Sequence, residues 1–513
     1  MNLLGTRNMM TLSKRSSKTK TGSVWFSYLE EHLVNVHIFE ESPRDSRDAI
    51  CKLCKSTVSF ESFAYYCREC RSHFHKDCLT IINAKIHEHT LTFIRRENPF
   101  PCDVCGRDDK GMDMYGCLQC DFFVHRQCIF LPKVIKLTRH SQRLSHVFRI
   151  SDGDNICGVC RSQVDVRYGG YSCIEKTCNY VVHSSCIIRF DVWDGKDLEE
   201  EPEPEEIDSQ VDLAALVEID GKSVRHFSHE HDLLRLDMGE KEESGQVCQA
   251  CVLPIEFGSF LGCKQCDFAL HDVCASLPRK MEHGIHIHPL TIHVDAMNNE
   301  NGFFTCSVCN QHSCGFMYKC CQEDCEFKID VKCASFAEPF DHSMHKHPLY
   351  LAIYFDEFIY RCEGCTQSSR FAAKCYKGCW FPLEFKCLNL PKLVKYKYDS
   401  HSLTLYSDKY YSKSFQLEWW CEICEENINK KKLFYTCHEC CTTLHVECIL
   451  GKYPYLKSGH RIKVSGLEVE IASNNGVSRP VCHTCHRICQ DKKKFNGKDD
   501  VYFCSIKCIH STK

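Results

Sequence analysis

Residues 102–128 read CDVCGRDDKGMDMYGCLQCDFFVHRQC. Cys102 and Cys105 form one C-x2-C pair, Cys117 and Cys120 a second, and His125 and Cys128 follow at set intervals. The order is therefore C-x2-C, a spacer, C-x2-C, four residues, His, two residues, Cys. The same order recurs on both sides of this stretch. Before it stand Cys51, Cys54, Cys67, Cys70, His75 and Cys78; after it come Cys157, Cys160, Cys173, Cys178, His183 and Cys186, then Cys248, Cys251, Cys263, Cys266, His271 and Cys274. A fifth copy reads Cys306, Cys309, Cys320, Cys325, Asp330 and Cys333, a sixth Cys362, Cys365, Cys375, Cys379, Glu384 and Cys387, and a seventh Cys421, Cys424, Cys437, Cys440, His445 and Cys448. One C-x2-C is weak evidence. Seven copies that repeat both spacing and order mark a tandem array.

The 513 residues include 43 Cys and 29 His, with a formal net charge of −4 that offers no bulk basic field for nucleic acid. No stretch approaches the roughly 18 consecutive apolar residues of a membrane-spanning helix. Residues 1–29 contain no Asp or Glu and carry Arg7, Lys14, Arg15, Lys18 and Lys20 among Ser and Thr. They lack the apolar run of a secretory signal, so they read as a basic disordered tail (1–31), with an organelle transit peptide as the alternative. A reducing compartment, cytoplasm or nucleus, is expected. Disulfides do not persist there, and the Cys spacing reads as metal ligation.

Upstream of each Cys block lies a shorter signature, His-x-His-x-Leu. It appears as His87 and His89, His229 and His231, His286 and His288, and His345 and His347, each pair followed by Leu two residues later. Modules one, three and seven are read as keeping only the second His, at His37, His146 and His401, with Asn35, Leu144 and Asp399 in the first position. His32 and His140 are nearby substitutes. A complete module thus offers eight donors, enough for two closed tetrahedral zinc sites. Modules of this size sit near the limit at which a chain folds without metal, and a structural zinc contributes roughly 10–16 kcal/mol of apparent folding free energy. Asp330 and Glu384 stand where His is expected and are read as carboxylate ligands. In the tail, Cys482, Cys485, Cys504 and Cys508 fit a single site, with His483, His486 and His510 as secondary candidates. Cys489 also lies in the tail. Inside modules, Cys314 has no assigned place, while Cys321 and Cys441 adjoin ligands and read either as exchange partners or as buried thiols.

These motifs resemble the C1 zinc finger of the diacylglycerol type. The paired upstream His and the tandem copies are similar to its plant, divergent (DC1) form, over about residues 32–450, and the C-terminal unit type of that family fits 480–510. The resemblance implies small α+β modules, each of short strands and a short helix around zinc, without a single large core. It also implies the pairing: Cys102, Cys105, His125 and Cys128 share one ion, and His87, His89, Cys117 and Cys120 the other. The last Cys of a C1 finger is missing, and the extra upstream His takes its place. The expected modules are 32–80, 87–132, 140–189, 226–278, 283–337, 342–391 and 399–451, with a C-terminal Cys-rich unit at 460–513. Between the third and fourth lies an acidic linker, 190–222. From Asp191 to Asp220 it holds 13 acids against one Lys, which predicts an extended, solvated spacer or a docking segment for a basic partner.

The expected function is a non-enzymatic zinc-binding adaptor or scaffold with protein partners, which the resemblance places in plant signalling or in stress and developmental regulation. Two binding readings compete. A diacylglycerol- or membrane-binding C1 module would need a Gln-Gly and apolar tips that the inter-Cys loops here lack. A PHD-like chromatin reader begins with the same ligand order, but each unit would consume the next module's first Cys pair. Enzymatic readings are weaker still: the paired Cys are accounted for as ligands, which leaves none for thioredoxin-like chemistry.

Overall fold

The computed structural model describes the chain from residue 24 to 512. Outside the described residues lie 1–23, 31–32, 42–48, 53–56, 58–63, 68–70, 76–79, 82–83, 95–100, 109–113, 118, 190, 203–214, 239–244, 295–300, 354–359, 380, 408–417, 475–478 and 513. Two compact units are present, Met1–Glu203 and Pro204–Lys513.

Modules two to seven are each built on a small antiparallel sheet and a one-turn helix, with an added two-stranded ribbon in modules five and six. In module two the strands are Thr80–Ile81, Leu91–Ile94, Met114–Cys117 and Phe122–His125, paired in that order, and the helix is Arg126–Ile129. Module three repeats this with Val134–Ile135, Leu144–Val147, Gly170–Cys173, Val181–His183 and helix Ser184–Ile187. The apolar residues just before the late ligands, Phe122, Phe123 and Val124 in module two and Val181 and Val182 in module three, form these last strands and are buried throughout. A first short strand follows the previous module's exit, so each sheet starts a few residues before the boundary set by the His signature. Module six shows a three-stranded version, Leu349–Ile353, Phe371–Cys375 and Pro382–Glu384.

The register is the same throughout. The Leu of the His signature stands opposite the first Cys of the second pair: Leu144 opposite Cys173, Leu233 opposite Cys263, Leu290 opposite Cys320 and Leu349 opposite Cys375. In module one Phe39 takes that place opposite Cys67. That Leu is fully buried wherever it occurs, so a slip by one residue would turn it to solvent.

The apolar residues form separate clusters, one running from Cys51 to Val192 and another from Val224 to Tyr455. The C-terminal unit has its own, built on Arg461–Val464, Leu467–Ser473, Lys493–Asn496, Tyr502–Phe503 and helix Ile506–His510. Cys314 belongs here. It is buried, and it holds Tyr455 and Lys457 by backbone and sulfur hydrogen bonds, which joins module five to the C-terminal unit. Gly315 beside it has no room for a Cβ, which would meet the Ala250 carbonyl at 2.1 Å.

Consecutive modules are pinned by a buried Tyr whose hydroxyl donates to the Pro carbonyl that ends the preceding module: Tyr171 to Pro132, Tyr318 to Pro278 and Tyr435 to Pro391. Removing the hydroxyl strands a carbonyl. Tyr435→Phe is expected to cost about 1–3 kcal/mol, read as a lowered denaturation midpoint at unchanged zinc content.

Two expectations are corrected. The basic tail does not extend to residue 31, because Val24–Glu30 is a strand paired with Leu33–Glu41. Its apolar run, Val24-Trp25-Phe26, is long enough to add an edge to module one. The acidic segment is not free along its length either. Val192 is buried, Asp197 and Glu199 meet Lys85 and Lys133 at 2.6 and 2.7 Å, and Leu198 N–H donates to Val134 O. The Arg143 guanidinium donates to the carbonyls of Leu198, Glu201 and Pro202. Leu216–Glu218 is the first strand of module four. Self-repulsion counted only the segment's own charges and left out the basic residues of modules two and three.

Candidate metal centres

The first C-x2-C of modules two to seven is a tight turn. The N–H of the residue after the second Cys donates to the carbonyl of the first: Gly106 to Cys102, Arg161 to Cys157, Val252 to Cys248, Asn310 to Cys306, Thr366 to Cys362 and Glu425 to Cys421, and in the tail His486 to Cys482. That residue has positive φ in every case. For β-branched Val252 and Thr366 this is strained. Val252 sits there because its side chain is buried against the C-terminal unit.

The turn places two sulfurs against the late ligand. Cys105 Sγ lies 3.4 Å from His125 Nδ1, Cys160 3.3 Å from His183, Cys251 3.4 Å from His271 and Cys424 3.3 Å from His445. The one-turn helix brings in the last Cys: Cys186 Sγ is 3.8 Å from His183 Nδ1 and Cys448 3.9 Å from His445. In modules five and six the carboxylates take the imidazole's place. Asp330 Oδ2 is 3.2 Å from Cys309 Sγ, and Glu384 Oε1 is 2.7 Å from Cys365 and 3.9 Å from Cys387. Asp330 also caps its helix, accepting from Cys333 N–H at 2.9 Å.

The second centre of modules two, four, five, six and seven joins the His signature to the second Cys pair. Cys120 Sγ is 2.9 Å from His89, Cys266 3.4 Å from His229 and 3.9 Å from His231, and Cys320 3.5 Å from His288. Cys325 is 3.4 Å from His286, Cys379 3.1 Å from His347, Cys375 3.8 Å from His347, and Cys440 3.3 Å from His401. A backbone N–H two residues on donates to the first sulfur, as from Gln119, Gln265, Gln322 and Lys377. Such bonds favour the thiolate.

Module three departs from the sequence reading. His146 is not a ligand. It lies two residues beyond the buried Leu144 on the same strand face, its ring against Tyr171 and Phe148, and burial pushes it down to about 4. His140 is the ligand, with Nε2 3.2 Å from Cys173 and 3.6 Å from Cys178. The correct register is His140, Gln142, Leu144, so module three keeps the first His and lacks the second. Two structural features mark it. The first-position residue donates its N–H to the carbonyl three residues back in modules two to seven, from His87, His140, His229, His286, His345 and Asp399. It also stacks on the aromatic ring two residues after the second Cys pair: His87 on Phe122, His140 on Tyr180, His229 on Phe268, His286 on Phe327 and His345 on Phe381, all at 4.1–4.4 Å. In module seven that position is Thr442, and Asp399 hydrogen-bonds it instead.

Of the module-one candidates, Cys51, Cys67 and His75 are described. Cys51 bridges to His73 as Cys157 does to Val181, while Cys54, Cys70, Cys78 and His32 lie outside the described residues and His37 is described only as strand backbone. In the tail Cys504 Sγ is 3.6 Å from Cys485 and 3.5 Å from Cys508, with Cys482 buried beside them. His510 turns away to Ser465 at 2.6 Å, and His483 packs its ring against Phe503. His486 is the positive-φ residue of the tail's turn. Cys489 is a buried thiol, pushed up to about 11 chiefly by burial. Cys321 and Cys441 are exposed, which removes the buried-thiol reading; Cys441 occupies a positive-φ turn position.

These donors suit zinc. His87, His89, Cys117 and Cys120 converge within 4.8 Å, as do Cys102, Cys105, His125 and Cys128, the Cys157 and Cys248 sets, and His229, His231, Cys263 and Cys266. Eight more clusters of such groups lie among the described residues. His87 Nε2 and Asp399 Oδ2 are buried without a hydrogen-bond partner, a cost that a cation removes. The crowding perturbs the donors: hydrogen bonds that His125 donates to the sulfurs of Cys102 and then Cys105 push it up to about 10, and those that Cys362 accepts from Cys365 and then Cys387 bring it down to about 3.

The family model described as "C1 domain" matches residues 85–129, 138–187, 227–275, 284–334 and 396–449, and the model described as "C1 domain-like, C-terminal" matches 469–509. Together they cover more than half of the chain. The chain belongs to the C1-domain family, in its divergent form. It carries multiple zinc-binding C1-like modules and the C1-like C-terminal unit. No curated protein and no solved structure matches it. Modules one and six lie outside the matched stretches, although module six keeps the strand order and both donor sets of a divergent C1 module. No helix among the described residues is long and apolar enough to cross a membrane.

Asp330 distinguishes ligand from relic in module five. Asp330→Ala removes a helix cap, worth about 0.5–2 kcal/mol, together with a donor. The expected result is the loss of one zinc, whereas Asp330→His retains it. Metal analysis of the two variants checks this.

Proposed function

We propose that the chain is a non-enzymatic adaptor whose C1 modules hold two zinc ions each and the C-terminal unit one, with zinc fixing surfaces that bind protein partners. One observation carries the reading. The residue directly before the first Cys of a knuckle is apolar yet solvent-exposed in modules one, three and seven and in the tail: Ile50 at 58 %, Ile156 at 47 %, Trp420 at 53 % and Val481 at 54 %. Each is held by a backbone bridge across its knuckle, to Thr57, Gln163, Asn427 and Ile488 respectively. Exposed apolar groups at one repeated, rigid position suit multivalent contact, in which linked weak sites gain effective concentration. Four protein donors close a tetrahedral site, which supports a structural rather than catalytic use of the metal.

The test compares proteins captured by the full-length chain with those captured by an Ile156→Asp, Trp420→Asp variant of equal zinc content. Loss of specific partners in the variant supports the reading. Identical capture, or none above background with either protein, rejects it.

A further inference from the structure

The second centre of module three differs in kind from those of modules two, four, five, six and seven. In modules two, four, five and six both signature positions are His, and in module seven they are Asp399 and His401. In module three the first position is His140, and the second, which is His89, His231, His288, His347 or His401 elsewhere, is Gln142. His140 is seated as the other first-position His are, stacked on Tyr180 at 4.1 Å and within 3.2–3.6 Å of Cys173 and Cys178. Gln142 is exposed, and its amide oxygen accepts a hydrogen bond from Ser141 Oγ at 2.7 Å. A neutral amide oxygen is a poor zinc donor beside two thiolates, and this one is already engaged.

Resting on the zinc reading above, we infer that this centre is a three-donor site, His140, Cys173 and Cys178, whose fourth coordination position is open to a small monodentate anion of the thiolate or azide kind. Two sulfurs, one imidazole and one free position form a donor set of the open type, whereas structural sites are closed by four protein ligands. The surroundings keep the position accessible. Cys178 is partly exposed, Gln142 lies at the surface, and Arg143 is drawn away to the carbonyls of Leu198, Glu201 and Pro202. Among the modules whose second centre is described, module three therefore carries the exchangeable zinc, and it couples its own fold to the small-anion content of its surroundings.

The experiment uses the full-length chain and two variants. Gln142→His supplies the missing donor, and Gln142→Ala leaves the position open. Zinc release to a chromophoric chelator should show a fast phase of one equivalent in the wild type and Gln142→Ala, slowed on the order of 10–100-fold in Gln142→His, by analogy with outer-shell ligand losses. In the cobalt-substituted proteins azide should alter the visible spectrum of the wild type and Gln142→Ala, and leave Gln142→His unchanged. Identical release and azide response in the wild type and Gln142→His overturn the inference. So does a wild-type chain that lacks one zinc and gains it in Gln142→His. A zinc count near zero in all three proteins would instead overturn the zinc reading on which the inference rests.

Discussion

Removing the metal with a strong chelator should unfold both units, and far-UV circular dichroism should lose its sheet signal together with zinc. The secondary structure is too short to persist alone. The module helices run four or five residues, as in Arg126–Ile129 and Val446–Leu450, whereas isolated helices below about 12–15 residues are marginal in water. Several strands are only two residues long, such as Val134–Ile135 and Leu393–Val394. Into this fabric the first Cys of each knuckle is set at the centre: Cys102, Cys157, Cys248, Cys306 and Cys421 are fully buried. Without a shared cation, the buried sulfurs and imidazoles of one cluster must divide protons among themselves, and the roughly 10–16 kcal/mol from each structural zinc is lost. Retention of native dichroism after complete zinc removal would show that apolar packing alone holds the modules.

The second large effect separates the two centres within a module. In module four, Cys248→Ala should release zinc and destabilise the C-terminal unit's modules broadly, whereas Cys266→Ala should release one zinc with a local effect. Cys248, Cys251 and Cys274 are buried in the apolar cluster that runs from Val224 to Tyr455. The same knuckle carries Val252 into the C-terminal unit's core, and Ala250 O accepts from Phe316 N–H of module five. Losing that centre frees the knuckle, and the loss is transmitted to both neighbours. Cys266 is exposed, and its partners His229 and His231 lie in the turn before the strand Leu233–Met238. Native hydrogen exchange reads the difference: loss of protection across modules four, five and the tail for the first variant, and at Leu233–Met238 and its pairing strand for the second. Equal and local effects would contradict the hierarchy.

Much of this was legible in the sequence because ligand spacing is itself geometry. A C-x2-C pair reads as a knuckle, and Asp330 and Glu384, named as His replacements from position alone, lie beside the sulfurs as expected. In module three His146 is the His nearer the Cys block, so distance along the chain alone points to it. The register is carried instead by the buried Leu opposite the first Cys, which makes Leu144 the signature Leu and His140 the ligand. The stacking of the first His on Phe122, Tyr180, Phe268, Phe327 or Phe381 was invisible to a period-based reading, in which those aromatic residues are ordinary strand positions. Cys314 could not be placed from spacing at all. Its partners, Tyr455 and Lys457, are distant in sequence, and only folding brings them to it.

Native mass spectrometry of the full-length chain tests the central claim most directly. Two zinc ions for each of seven modules and one for the tail predict about 15 ions, with Gln142→His leaving the total unchanged while tightening one. A mass corresponding to only a few bound ions, in a protein that still gives native dichroism, would contradict the account.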